Sequence, residues 1–363
     1  MNGLFATFNC GKALQSPDQV SKLVTQALKS ANYHVVAFGF QEICPIMEGC
    51  FGDYRQYLTP ILAGLDSVLS ESYQQVDVVA LGAILLVVYA SPDVTIATKT
   101  SATARCGMLK SGLKGGVGVR FKASHNGTTR EITIVTAHLA ANEGMSLARN
   151  HNYYELVTRL DFGDGYGAYK PGSHFVFMGD LNYRALQEVN DEDVNEETAG
   201  ERLRVAGDEL TKEMNQGRVL YGLEEAPIDF KPTYKFFPNT ETYNTKRIPS
   251  WCDRILYLGG GAVVNWYHSL PEVNWSDHRP VALSLTIDSD PVDILTEEMS
   301  IALTDKPYPN LYLGLSPQRD LYATIGSLAD QTIGWSLYLG TTRRGNVYLG
   351  VGLLCVYLAF RIL

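Results

Sequence analysis

Short apolar runs alternate with polar turns from residue 4 to about residue 287. Eight of these runs are rich in β-branched or aromatic residues and predict strands that are buried or half-buried: 4–8, 35–40, 84–89, 117–121, 132–137, 175–178, 255–258 and 281–287. Two longer stretches predict helices. One covers about 17–29, with Ser16 as its N-cap and Pro17 in the first position, where a missing N–H costs nothing. The other covers about 143–160. Strands interleaved with helices give a layered α/β domain with sheet at its centre. The stretch 191–215 is densely charged and reads as a helical, solvated surface excursion.

Past residue 287 the texture changes. Residues 288–310 are rich in acid and proline, and 288–344 is expected to be a linker or extension between a 1–287 domain and the chain's last segment. The run 347–360, VYLGVGLLCVYLAF, carries no charge; Arg343 and Arg344 precede it and Arg361 follows. A bilayer-crossing helix needs roughly 20 apolar residues, with a lower limit near ~17. The run falls short, but a thin bilayer of ~27 Å and a snorkelling Arg361 relax the requirement. The expectation is a C-terminal transmembrane helix over 345–363, a tail anchor with its arginine pair on the cytosolic side. A last buried strand or helix of the domain is the alternative.

Composition narrows the chemistry. With 45% hydrophobic and 19% charged residues the chain can fill a sizeable core. A net charge of −9 gives no basic excess for gripping nucleic-acid phosphates, so no nucleic-acid partner is expected. Six cysteines without metal-type spacing in a chain of this length argue against a disulfide scaffold. The opening MNGLFATFNCGK lacks the basic flank and long apolar core of a secretory signal. No G-x-x-x-x-G-K-[ST] phosphate loop is present.

The chemistry is signalled where apolar runs end. Asn9 follows Phe8, Gln41 and Glu42 follow the 35–40 run, and His138 closes the 132–137 run. Asp180 and Asn182 follow 175–178, Asp253 precedes 255–258, and Asp277 and His278 precede 281–287. Each alone is an ordinary turn, cap or core residue. Together, if the strand ends converge, they line a pocket with oxygen ligands and two imidazoles.

These residues sit in motifs. The ordered set TFNCGK, FQEI, GLKGGV, TAHLAA, GDLNYR, KPTYKF, IPSWCDRIL and SDHRPV resembles the inositol polyphosphate 5-phosphatase family of the endonuclease/exonuclease/phosphatase superfamily, over about residues 4–287. With its hydrophobic tail the chain looks most like the small tail-anchored fungal members that act on phosphatidylinositol 4,5-bisphosphate at the endoplasmic reticulum. It departs from many relatives at Phe8, where they carry Trp, and at Leu113, where they often carry Asn before the lysine.

The resemblance implies a four-layered α/β sandwich, two central sheets flanked by helices, and Mg²⁺-dependent hydrolysis of the 5-phosphate to leave phosphatidylinositol 4-phosphate. It implies Glu42 and Asn9 as metal ligands. Asp180 would orient and deprotonate the attacking water, with Asn182 positioning water or phosphate. His278 would contact the phosphate, Asp253 would fix its tautomer, Asp277 would support the metal side, and His138 would donate to a phosphate oxygen. Tyr234, Lys235, Lys246 and Arg247 match the family's 4-phosphate positions, with Lys114 and Arg184 as general phosphate attractors.

These residue types suit the reaction. Monoester hydrolysis is slow enough that accelerations approach ~10²¹, so charge on the phosphoryl oxygens has to be offset and a water aimed in line. Mg²⁺ prefers hard oxygen ligands, and a neighbouring phosphate calls for a guanidinium fork, an ammonium and a hydroxyl together. Two other readings share part of the pattern: a phosphodiesterase of the same superfamily resembling neutral sphingomyelinase, and a non-catalytic inositol-lipid adaptor. Retention of Glu42, Asp180 and His278 runs against the adaptor. The expected setting is a monomer with a phosphoinositide lipid substrate, on the cytosolic face of the endoplasmic reticulum membrane.

Overall fold

In a computed structural model, which describes residues 1–29, 31–186, 207–287, 290–301 and 311–362, the strands form two six-stranded mixed sheets. The first runs in the order β11 (Ala262–Ser269), β12 (Val281–Ile287), β1 (Asn2–Asn9), β2 (Val35–Gln41), β4 (Ile84–Ala90), β3 (Gln74–Leu81). The second runs β5 (Thr95–Arg105), β6 (Gly115–His125), β7 (Thr128–His138), β8 (Ser173–Asp180), β10 (Asp253–Leu258), β9 (Leu223–Glu224). All eight predicted runs fall inside strands. The chain also forms β3, β5, β9 and β11, which the apolar pattern did not announce.

Each sheet holds one parallel pair, and this arrangement brings the polar strand ends together. β1 and β2 run parallel with Asn9 opposite Gln41. In the other sheet β7 and β8 run parallel with His138 opposite Asp180. β10 lies antiparallel to β8, so its first residue, Asp253, also falls opposite Asp180. β12, antiparallel to β1, begins just after Asp277 and His278.

The sheets face one another across a dry layer that includes Phe5, Leu86, Val119, Phe121, Ile134, Met178 and Leu283. Helices α1 (Pro17–Leu28) and α3 (Arg55–Leu69) cover the first sheet, setting Val24, Ile61 and Leu65 against Phe38 and Val87. Helix α4 (Ser146–Arg159) covers the second, with Tyr153, Leu156 and Val157 against Phe177. Helix, sheet, sheet, helix is the expected four-layered order. The start of α1 is fixed by a capping box: Gln19 N donates to Ser16 Oγ at 3.2 Å and Ser16 N to Gln19 Oε1 at 2.9 Å.

Two glycines let the layers close near the polar ends. A Cβ on Gly39 would lie 2.3 Å from Thr136 Oγ1 on the opposite sheet. Gly179, beside Asp180, has φ +144° and a Cβ there would lie 2.0 Å from the Ala137 carbonyl oxygen. The glycine of GDLN is therefore a packing requirement.

Helices α2 (Ile46–Phe51) and α5 (Glu209–Asn215) complete the domain; α5 is the end of the charged stretch, whose residues 191–206 lie outside the described residues. In the segment expected to be an extension, helix α6 (Arg319–Thr341) returns to the domain and packs on α2 and on the loop between β5 and β6.

The expected C-terminal transmembrane helix is corrected by the structure. Residues Arg343–Ile362 form helix α7, yet no helix among the described residues is long and apolar enough to cross a membrane. The uncharged run 347–360 rises only ~21 Å at 1.5 Å per residue, against a hydrocarbon layer of ~30 Å. Gly350, Gly352, Tyr348 and Tyr357 dilute its apolarity further.

Candidate active site

The strand ends converge on Asp180. Asn9 Nδ2 donates to Asp180 Oδ2 at 2.8 Å, and His138 Nε2 stands 3.2 Å from the same oxygen. His278 Nε2 faces it at 3.9 Å. Behind His278, its Nδ1 lies 2.9 Å from Asp253 Oδ2, which also accepts from Thr233 Oγ1 at 2.6 Å. Asp180, Asp253, His138 and His278 are all buried.

Asn182 occupies the left-handed region at φ 58°, a conformation asparagine tolerates, so that its N–H turns back to Asp180 Oδ1 at 3.1 Å. Glu42 is also left-handed, at φ 50°, directly after the last residue of β2. That is an uncommon setting for glutamate, and such outliers gather at functional sites. The turn brings the Glu42 carboxylate to 3.8 Å from His138 Nε2 and 3.4 Å from Lys12 Nζ.

A second group lies beside the first. The Tyr234 ring stacks on His278 with centroids 4.4 Å apart, and the Arg184 guanidinium sits 4.5 Å over the other ring partner, Tyr234. Arg184 also bonds Asn182 Oδ1, and its Nη1 is buried without a hydrogen-bond partner. Lys235 Nζ pairs with Asp277 Oδ2 at 2.8 Å. Lys114 Nζ meets His138 Nε2.

The structure thus brings together Asn9, Glu42, His138, Asp180, Asn182, Asp253, Asp277 and His278, with Lys114, Arg184, Tyr234 and Lys235 adjoining. It does not bring in the two remaining candidates. Arg247 is turned to Glu143 and Asn142 on the loop after β7, and Lys246 is exposed.

Electrostatics separates the roles of these groups. Burial pushes the Asp180 carboxyl up, but His278, His138 and Lys114 outweigh it and hold the group below the usual carboxylate range. Burial opposes charge on His278, yet Asp253, Asp180 and Asp277 raise its pKa to about 9. His138 moves the other way: burial and then Lys114 lower it, against Asp180 and Glu42. The site therefore pairs a protonated imidazole with a neutral one across a single carboxylate. Burial also pushes the thiols of Cys10 and Cys252 up, so neither offers a thiolate nucleophile. Cys355 and Arg361, six positions apart, both lie within helix α7 and not on a phosphate-cradling loop.

Two triads among the described residues bring three potential ligand atoms within 4.8 Å: Asp180, Asp253 and His278, and a distant His34, Asp93 and His125. In the distant one, Asn2 N donates to His34 Nδ1 and Asn126 Nδ2 lies 2.9 Å from His125 Nε2, so both rings turn N–H groups toward Asp93. His125 Nδ1 and His34 Nε2 stand 3.3 and 3.9 Å from Asp93 Oδ2. At the site itself, His278 is likewise committed to its carboxylates. The donors that suit a hard divalent cation are the half-buried Glu42 carboxylate and Asn9 Oδ1, which accepts the Gly11 N–H at 2.9 Å. Asp277 Oδ1 approaches Gly11 from the other side.

Sequence reasoning missed the residues that hold the site in place. Ser276 Oγ donates to the Asn9 carbonyl at 2.7 Å and receives His278 N–H at 3.2 Å. Gln41, noted at its strand end but given no role, donates Nε2–H to Thr136 Oγ1 at 2.9 Å and ties the two sheets together. Thr233 within KPTYK and Ser276 within SDHRPV lay inside quoted motifs, but nothing in their spacing assigns them a partner.

The chain is similar to several known proteins. An inositol-1,4,5-trisphosphate 5-phosphatase of Schizosaccharomyces pombe is 36% identical over 199 residues, 52% of this chain and 18% of that protein. The phosphatidylinositol 4,5-bisphosphate 5-phosphatase INP51 of Saccharomyces cerevisiae is 35% identical over 173 residues, 46% of this chain and 18% of that protein. The chain therefore spans less than a fifth of the length of these two relatives. The crystal structure of the inositol polyphosphate 5-phosphatase domain of SPsynaptojanin, in complex with inositol (1,4)-bisphosphate and calcium ion, superposes with a TM-score of 0.65 over 92% of this chain and 91% of that one. At 24% identity that likeness speaks for the fold alone. Residues 6–284, from the middle of β1 to the middle of β12, match endonuclease/exonuclease/phosphatase family 2, and the chain belongs to that family.

Proposed function

We propose that this chain removes the 5-phosphate of phosphatidylinositol 4,5-bisphosphate, with Mg²⁺ as its divalent cation, releasing inorganic phosphate and phosphatidylinositol 4-phosphate. The observation that carries the reading is the Asp253–His278 pair facing the Asp180–Asn9–His138 group. The two relatives are named for substrates that share neighbouring 4- and 5-phosphates on an inositol ring.

In this reading His278, charged below about pH 9, offers its Nε2–H to a phosphoryl oxygen while Asp253 holds Nδ1. Asp180, an anion whose own pKa is held low, accepts a hydrogen bond from the attacking water and aims it. The water oxygen bonds to phosphorus as the bond from phosphorus to the ring oxygen breaks. Water's proton passes by way of Asp180 to solvent, and the departing ring oxygen takes one proton from solvent, leaving the ring hydroxyl and inorganic phosphate. A divalent cation held by Glu42 and Asn9 would offset charge on the phosphoryl and leaving oxygens. Tyr234 and Lys235 lie beside His278 and suit the 4-phosphate; Lys246 and Arg247 join them if Arg247 exchanges Glu143 for the anion.

The test is release of phosphate from dioctanoyl phosphatidylinositol 4,5-bisphosphate with and without Mg²⁺, with positional analysis of the product. Asp180→Ala is expected to lower kcat by about 10³-fold, the scale of losing a preorganised electrostatic group, with an unchanged melting curve. Folded wild-type protein without turnover, or loss of the 4-phosphate in place of the 5-phosphate, overturns the reading.

A further inference from the structure

Helix α6 lies beyond the family-matched residues 6–284, yet it packs against a loop of the candidate site. The loop, 106–114, joins β5 to β6 and ends in Lys114, whose Nζ meets His138. It is closed by Cys106 N donating to the Lys114 carbonyl at 2.9 Å and Gly107 N to the Ser111 carbonyl at 3.0 Å. Leu109 and Lys110, at φ 52° and 63°, are both left-handed, so the loop holds a shape its own residues do not favour.

What holds it comes from α6. Asp330 is buried, and its two oxygens are divided between the loop's two ends. Gly112 N donates to Oδ1 at 2.8 Å, and Arg105 Nε, on the last residue of β5, donates to Oδ2 at 3.2 Å. One turn earlier, Gly326 lies so close to the Lys110 carbonyl that a Cβ would come within 1.9 Å of it. The residues α6 buries are Gly326, Ala329, Asp330 and Gly334, a stripe of small side chains around one carboxylate. Such a stripe buries little apolar area, and the Asp330 hydrogen bonds add a specific polar contact to the loop.

We propose that Asp330 is a positioning residue of the reaction: through Gly112 and Arg105 it sets the β5–β6 loop so that Lys114 reaches His138. The inference rests on the phosphatase reading for its effect on rate, but not for its effect on the loop. Asp330→Ala frees Gly112 N–H and leaves Arg105 without its carboxylate. Asp330→Asn keeps an acceptor for Gly112 but removes the charge and the oxygen that accepts from Arg105 Nε.

Two measurements test it. In amide hydrogen exchange, Gly112 is expected to exchange at least about tenfold faster in Asp330→Ala, while β6 and β7 stay protected. In phosphate release, kcat/KM is expected to fall about tenfold in Asp330→Ala and less in Asp330→Asn, since small misplacements at a site are costly. Placed in a Lys114→Ala background, Asp330→Ala is expected to add less than about twofold, because the two residues act along one line. Losses that multiply in the double variant overturn the proposal, as does unchanged exchange at Gly112 or loss of β6–β7 protection in Asp330→Asn. If wild-type protein releases no phosphate, the phosphatase reading fails while the exchange experiment still decides whether Asp330 holds the loop.

Discussion

The sandwich and the C-terminal helices solve burial in opposite ways. Between the sheets, large side chains such as Phe5, Phe121, Ile134 and Leu283 are fully enclosed. Along α6 the enclosed residues are two glycines, an alanine and an aspartate, while Leu321, Leu328 and Trp335 are 56%, 65% and 53% exposed. The sandwich is held by apolar area, and α6 by close backbone approach and a shared carboxylate. Apolar character in a sequence therefore locates the core of the domain, but along α6 it marks the outer face.

The contrast can be broken by substitution. Phe121→Ala, in the inter-sheet layer, is expected to destabilise the fold by about 3–5 kcal/mol, read as a lowered denaturant midpoint with an unchanged slope. A loss below 1 kcal/mol would mean that the sheets do not share a dense core. The site end of the sandwich adds a pH dependence of its own. His278 has a folded-state pKa of about 9 against an ordinary 6.5, so its ionisation stabilises the fold fully below pH 6.5 and fades as pH rises through 9. Asp253→Asn removes the nearest source of that shift. Its melting-temperature deficit is expected to be largest below pH 6.5 and to narrow by pH 9, corresponding to no more than about 3 kcal/mol. A deficit independent of pH would refute the ion pair. On the exposed side of α6, Leu328→Ser is expected to change stability by no more than about 0.5 kcal/mol. A larger loss would show that the face is covered.

The same contrast explains what could be read from the residues alone. β1, β2, β4, β6, β7, β8, β10 and β12 contain continuous apolar runs because both faces of their sheets are covered, one by the other sheet and one by helices. β5 was missed because most of its TIATKTSATAR is exposed, and β11 because its exposure alternates along AVVNWYHS. α3 hid behind Pro60 and Gly64, the usual signals of a break. At the site, Asn9, Glu42, His138, Asp180, Asp253 and His278 were legible because each stands where an apolar run ends. Ser276, Thr233 and Asp330 were not, since their work is done through partners up to 267 residues away. The tail was misjudged because its shortfall in length was set against a thin bilayer and a snorkelling Arg361, which do not make up the difference.

The place of β1 in the middle of its sheet has a consequence for biogenesis. β1 leaves the ribosome before both of its neighbours, β2 on one side and β12 on the other. At ~5–20 residues per second its β12 edge waits for roughly 14–55 s of translation before residues 281–287 emerge. During that interval a nascent chain presents a bare ladder of N–H and C=O groups beside Leu4 and Phe5, which invites capture by holdase chaperones. A message truncated before residue 278 would yield a polypeptide in which β1 pairs with β2 alone and in which His278 is missing.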